Sequence, residues 1–110
     1  GSEMCIRDRS YGNEAVMLEK LITETEKEMR LMQDEATKKD MKGLDAITHH
    51  LRSSWEVLRA DQPLRVLYGL LHGKDKPDTE ALSNAVTAVL DKGAEIIRLA
   101  EEERRKYENG

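Results

Sequence analysis

Three histidines and one cysteine carry most of the nucleophilic potential of this 110-residue chain, and two of the histidines are adjacent, at 49 and 50. They lie in the stretch LDAITHHLRSSWEVL, residues 44–58. Leu44, Ile47, Leu51, Trp55 and Leu58 recur there at steps of three and four, which places them on one face of a helix. At about 100° per residue, His49 falls almost opposite that face. Ser53 lies close to it one turn up and Glu56 a further turn on, Asp45 lies one turn below, and Arg52 shares the outer half. His50 falls on the flank between the two faces. An imidazole displayed on a rigid helix can be reached by another protein's active site. A solvated imidazole is mostly neutral near pH 7, so it keeps a lone pair for nucleophilic attack. Arg52, at i+3, can offset the charge of a phosphoryl group carried on His49, and Ser53, at i+4, is small enough not to obstruct a docking partner. Spacing alone does not separate such a nucleophile from an ordinary polar surface histidine.

The string His49-His50-Leu51-Arg52-Ser53-Ser54 resembles the phosphorylation motif of histidine-containing phosphotransfer (HPt) domains of bacterial two-component phosphorelays, commonly written H-x-L-K-G-S. Arg52 stands where the motif has Lys and keeps the charge. Ser53 stands where it has Gly and keeps the position small. The likeness covers roughly residues 14–100, with a long amphipathic segment before the motif and two after it. The resemblance implies an all-α, antiparallel four-helix bundle that carries phosphate without being an enzyme by itself. It implies that His49 Nε2 attacks the phosphorus of an aspartyl phosphate on a receiver domain and later hands the group to a second receiver. The partners would be receiver domains of response regulators or hybrid histidine kinases, which would supply the acidic residues and Mg²⁺. Arg52 would screen the phosphoryl charge, Ser53 would leave room for the receiver, and His50, Asp45 and Glu56 would border the contact. A sensor-kinase phosphoacceptor helix pair, with motif H-E-L-R-T-P, shares the His, Leu and Arg, but this chain lacks the Glu and the Pro and has four helical segments. A third reading is a helical interaction module whose histidine carries no phosphate.

The elements that would hold this helix follow from composition and period. Charged residues make up 36% of the chain and aromatics 4%, with no Phe and two Pro, which suits one helical domain built on aliphatic residues and argues against a β-sandwich. The net charge is −4 with both signs interspersed, so nothing recommends nucleic acid as a partner. No apolar run approaches a membrane span and no signal-peptide pattern occurs. The single Cys5 excludes an intramolecular disulfide and fits a reducing compartment, so a cytoplasmic location is expected, and the HPt resemblance implies a monomer.

Residues 1–12 carry no helical or strand period. Gly1-Ser2 looks like an expression scar, MCIRDRS looks like a translated adapter remnant, and the segment is expected to be a disordered tail. Cys5 there is read as incidental rather than as a reactive thiol. Asn13 is a plausible N-cap for a first helix over 14–39. Its stripe is Leu18, Leu21, Ile22, Thr25, Met29, Met32 and Ala36, and Met17, Met29 and Met32 are read as core filling rather than a docking groove. Asp40 caps a second helix over 41–60, in which Gly43 costs about 1 kcal/mol against Ala and Trp55 belongs to the core or its edge. The short linker sets these two helices antiparallel. Pro63 fits the first turn of a third helix over 63–72, with Leu64, Leu67, Leu70 and Leu71 on its apolar face and Gly73 at its end. His72 is read as complementing the helix dipole, with no catalytic role. A fourth helix over 79–105, capped by Asp78 or Thr79, carries Leu82, Val86, Val89, Leu90, Gly93, Ile97 and Ala100, with Ile96 beside them. Gly93 there suggests close packing against a neighbour. The polar string after Ala100 is expected to fray, so the bundle is read as residues 13–107 with 108–110 loose.

The chain has no Gly-rich phosphate loop, no C-x-x-C pair and no His pair at i, i+4. No cofactor or metal of its own is expected, and whatever reacts at His49 must be brought by a partner.

Overall fold

The computed structural model describes residues 2–109, with side chains over 14–107. The chain forms four helices, α1 (Ser2–Lys38), α2 (Met41–Val57), α3 (Gln62–Leu71) and α4 (Thr79–Asn109). Each packs on its neighbour in sequence, and α4 closes back on α1. The result is an all-α four-helix bundle, drawn out into a rod of 62 × 20 × 19 Å.

Both tight connections use the same device. At the end of α1, Asp40 N donates to Glu35 O at 2.9 Å and Lys39 N to Ala36 O at 3.1 Å. At the end of α2, Ala60 N donates to Trp55 O at 2.8 Å and Arg59 N to Glu56 O at 3.0 Å. These paired bonds satisfy carbonyls that the helix end leaves free. They require a left-handed residue, and Lys39 and Arg59, both at φ 58°, supply it where glycine is usual. Asp40 then starts α2, its carboxylate accepting from Gly43 N at 3.1 Å.

The core is continuous across the four helices. Met32, Leu44, Trp55, Leu67 and Val89 are fully buried, with Leu51, Leu64, Val86 and Ile96 around them. Gly93 lets α4 approach α1, because a Cβ there would run into the Met29 side chain. This is the close packing its place in the stripe suggests.

The structure departs from the sequence expectations at several points. α1 starts at Ser2 rather than near 14: no proline interrupts the preceding segment, and the single Gly12 does not stop a helix. The expected disordered tail over 1–12 and loose end from 108 concern residues whose side chains lie outside those described. Met17 is 69% exposed and fills no core, since it falls off the stripe of Ile22, Thr25 and Met29. Leu58 is 44% exposed: α2 ends at Val57, and the turn through Leu58 and Arg59 carries Leu58 away from the core face. The polar end of α4 stays helical beyond Ala100, and the Tyr107 hydroxyl donates to the Glu14 carboxylate of α1.

Candidate functional site

The buried face of α2 is broad. Leu44, Ile47, Leu51 and Trp55 are buried as the stripe predicts, and Thr48 joins them at 1% exposure. Thr48 tolerates this because its hydroxyl donates to Leu44 O at 2.8 Å. It is buried because α3 lies against that side of α2. The outer side therefore keeps two positions for the paired histidines, and His49 and His50 are both exposed.

Their surroundings differ. His50 Nδ1 lies 3.2 Å from Glu28 Oε1 of α1, so the flank predicted for His50 is the α1 side. His49 faces the α3 side, where it lines a cavity of about 70 Å³ with Thr48, Arg52, Asp61, Leu64, Arg65 and Tyr68. Arg52, the expected cationic neighbour, is held from two directions. Its Nε donates to Glu56 Oε1 at 2.9 Å, and its guanidinium lies 5.7 Å from the centre of the Tyr68 ring of α3. Glu56 thus acts on Arg52. Asp45, one turn below His49, is engaged with α3: its Oδ1 lies 2.6 Å from His72 Nε2. Ser53 is exposed. The structure therefore gathers His49 and Arg52 at one cavity, places Glu56 behind Arg52, and sends His50 and Asp45 to separate partners.

Reasoning from the motif missed the contribution of α3. Asp61, Arg65, Tyr68 and His72 follow one another at four, three and four residues, one polar stripe along α3. Asp45, His49, Arg52 and Glu56 have the same spacing on α2. The two stripes meet along the α2–α3 seam. His72 closes one end on Asp45 and stacks on Tyr68, with ring centroids 4.2 Å apart, so its part is to tie α3 to α2. Arg65 Nε donates to Asp61 Oδ2 at 2.7 Å, which fixes its guanidinium along α3. The repeated spacing was the signal available in the sequence.

The site is electrostatically mixed. Arg52, Arg65 and Asp61 supply its charged lining, with Arg65 and Asp61 paired on α3, and the apolar wall comes from Leu64 and the Tyr68 ring. Among the described residues, no group of three or more His, Cys, Asp or Glu is placed to hold a metal ion. No helix among the described residues is long and apolar enough to cross a membrane. What the arrangement offers chemically is one solvent-facing imidazole on a small cavity shared with a positioned guanidinium. Comparison with family models, with curated proteins and with solved structures matches none of them.

Proposed function

We propose that this chain is a phosphoryl carrier of the histidine phosphotransfer type, accepting at His49. The observation that carries the reading is the difference among its three histidines. His50 and His72 are each tied to a carboxylate, Glu28 and Asp45 respectively. The ring of His49 makes no such pairing among the described residues, is exposed, and shares a cavity with Arg52.

In the proposed reaction the Nε2 lone pair of His49 bonds to the phosphorus of a receiver's aspartyl phosphate. The P–O bond to aspartate breaks, and the carboxylate leaves with the electron pair. The same step in reverse passes the group to the aspartate of a second receiver. Arg52 offsets the phosphoryl charge from the next turn. Glu56 and Tyr68 fix where that charge sits, which matters because catalysis here is mostly positioning and electrostatics. The receiver supplies the rest of the machinery, so the chain is a carrier rather than an enzyme. Its working place would be the cytoplasm, with receiver domains as partners and no need for a second copy.

The test is incubation with phosphorylated receiver domains, followed by acid treatment of any label transferred. A phosphoryl group bound to nitrogen is lost in acid and kept in base. The expected result is acid-labile label on the parent and none on His49→Gln. Label that survives acid, or equal labelling of His49→Gln, would overturn the reading.

A further inference from the structure

The cavity beside His49 belongs to two helices. Thr48, His49 and Arg52 come from α2, while Asp61, Leu64, Arg65 and Tyr68 come from α3. Its volume of about 70 Å³ compares with about 30 Å³ for a water molecule's share of the liquid. It admits a group of a few heavy atoms. Its charged lining is two arginines and one aspartate. Asp61 is occupied by Arg65 Nε, at 2.7 Å, so the Nη groups are the part of Arg65 left for a ligand. Arg52 is likewise held through Nε, by Glu56. Two guanidiniums anchored through Nε, on one small cavity with an open imidazole, suit a compact dianion attached to that imidazole.

We propose that this cavity receives the phosphoryl group carried by His49, with Arg65 of α3 as a second cation opposite Arg52. The inference rests on the phosphoryl-carrier reading but is tested without a receiver. Phosphoramidate supplies the group. The Nε2 lone pair of His49 bonds to phosphorus, the P–N bond of phosphoramidate breaks, and ammonia leaves with the electron pair. The imidazolium formed keeps its Nδ1 proton, which exchanges with solvent.

The phosphorus resonance of phospho-His49, assigned by its loss in His49→Gln, is followed through a pH titration. A cation beside the group favours its more negative form and lowers the pH at which the phosphoimidazole loses its last proton. Arg65→Gln is expected to raise that midpoint by roughly half a unit, as Coulomb's law gives for one charge several ångströms away at a wet surface. Arg65→Lys, which keeps the charge, should titrate with the parent, and so should Arg98→Gln on α4. Arg65 is exposed, but the side chain of its partner Asp61 is only 16% exposed. Arg65→Gln leaves that carboxylate without its cation and is expected to melt somewhat below the parent. Arg65→Lys is expected to melt with the parent, and the titration is run well below both melting temperatures. The proposal is overturned if Arg65→Gln titrates with the parent, if Arg65→Lys titrates with Arg65→Gln, or if phosphoramidate leaves His49 unlabelled. A normal Arg65 effect together with no transfer from any receiver would instead leave the phosphoryl pocket standing and remove the phosphorelay reading.

Discussion

The His50 imidazole meets the Glu28 carboxylate at 3.2 Å, bridging α2 to α1, and this contact separates two histidines that are neighbours in sequence. The His50 side chain remains 66% exposed while that of Glu28 is only 12% exposed, so what matters for folding is that Glu28 keeps a hydrogen-bond donor, which glutamine at 50 supplies. His50→Gln is therefore expected to fold with little loss and to accept phosphate nearly as well as the parent. His49→Gln should fold equally well and accept none. Both are read by labelling from one phosphorylated receiver and by thermal melting. If His50→Gln is the variant that loses acceptance, the acceptor has been assigned to the wrong ring.

Ser53 follows His49 by one turn and is exposed. A receiver bringing its aspartyl phosphate to His49 must pass over this position, since side chains at i and i+4 stand about 5–6 Å apart at Cβ. Ser53→Leu adds bulk where folding stability should change by no more than about 0.5 kcal/mol. Transfer depends on alignment, and a displacement of about 1 Å can lower the rate on the order of 100-fold. Ser53→Leu is expected to melt with the parent and transfer poorly, while Ser53→Gly transfers at least as fast as the parent. Parent-like transfer by Ser53→Leu would mean that no receiver docks over this face.

How far the sequence carried these statements varies with the range of the interaction. The bundle and most of its core were legible because Leu44, Leu51, Trp55, Val86 and Val89 repeat at helical spacing, and that spacing is local information. The exposure of His49 was legible for the same reason. Helix ends were less so. Leu58 continues the α2 stripe in sequence, yet its fate depends on Arg59 adopting a left-handed backbone, which nothing in an arginine announces. The share of α3 in the site was least legible. Arg65, Tyr68 and His72 have meaning only once α3 lies against α2, and Thr48 is buried for that reason alone. Angle puts Glu56 and Asp45 on the His49 face, but angle does not reveal that one holds Arg52 and the other holds His72.

The two left-handed turns give a stability prediction. Lys39 and Arg59 both sit at φ 58°, where a residue with a Cβ is disfavoured by about 1–2 kcal/mol and glycine is not. Neither position lies inside a helix, so glycine there does not carry its usual helical penalty. Lys39→Gly and Arg59→Gly are each expected to stabilise by about 1 kcal/mol, a rise of roughly 4–8 °C in melting temperature for a domain of this size. The two sites lie in different turns, so the double variant should show close to the sum. A lower melting temperature for either single variant would show that the parent side chain makes a contact worth more than the backbone strain.

The junction between α1 and α2 should give the bundle a pH dependence through Glu35 and Asp40. Asp40 accepts from the backbone of Gly43 at the start of α2, and these backbone hydrogen bonds hold its carboxyl below the ordinary aspartate value of 3.8. Glu35 reaches over the same turn, close enough that a Cβ at Gly43 would strike its carboxylate. Its carboxyl is raised above the ordinary 4.5, first by the hydrogen bond it shares with Asp40, then by desolvation and the Asp40 charge. A hydrogen bond between two carboxyls needs a proton, so ionisation of Glu35 removes the bond and leaves two negative charges side by side. The signs follow by linkage. The Asp40 contribution is present above pH 3.8 and is lost as pH falls through its depressed native value. The Glu35 contribution is present below pH 4.5 and is lost as pH rises through its raised native value. Glu35→Gln keeps a hydrogen-bond donor for Asp40 without the charge, so it should melt above the parent at pH 7. That difference should shrink as pH falls through Glu35's raised native value, where the parent takes up its proton, and be gone below 4.5. Asp40→Ala should melt below the parent at pH 7 and approach it in more acidic solution. Melting temperatures of the three proteins between pH 3 and pH 7 decide the matter, and a Glu35→Gln variant no more stable than the parent at pH 7 would show that the two carboxylates do not oppose each other across the turn.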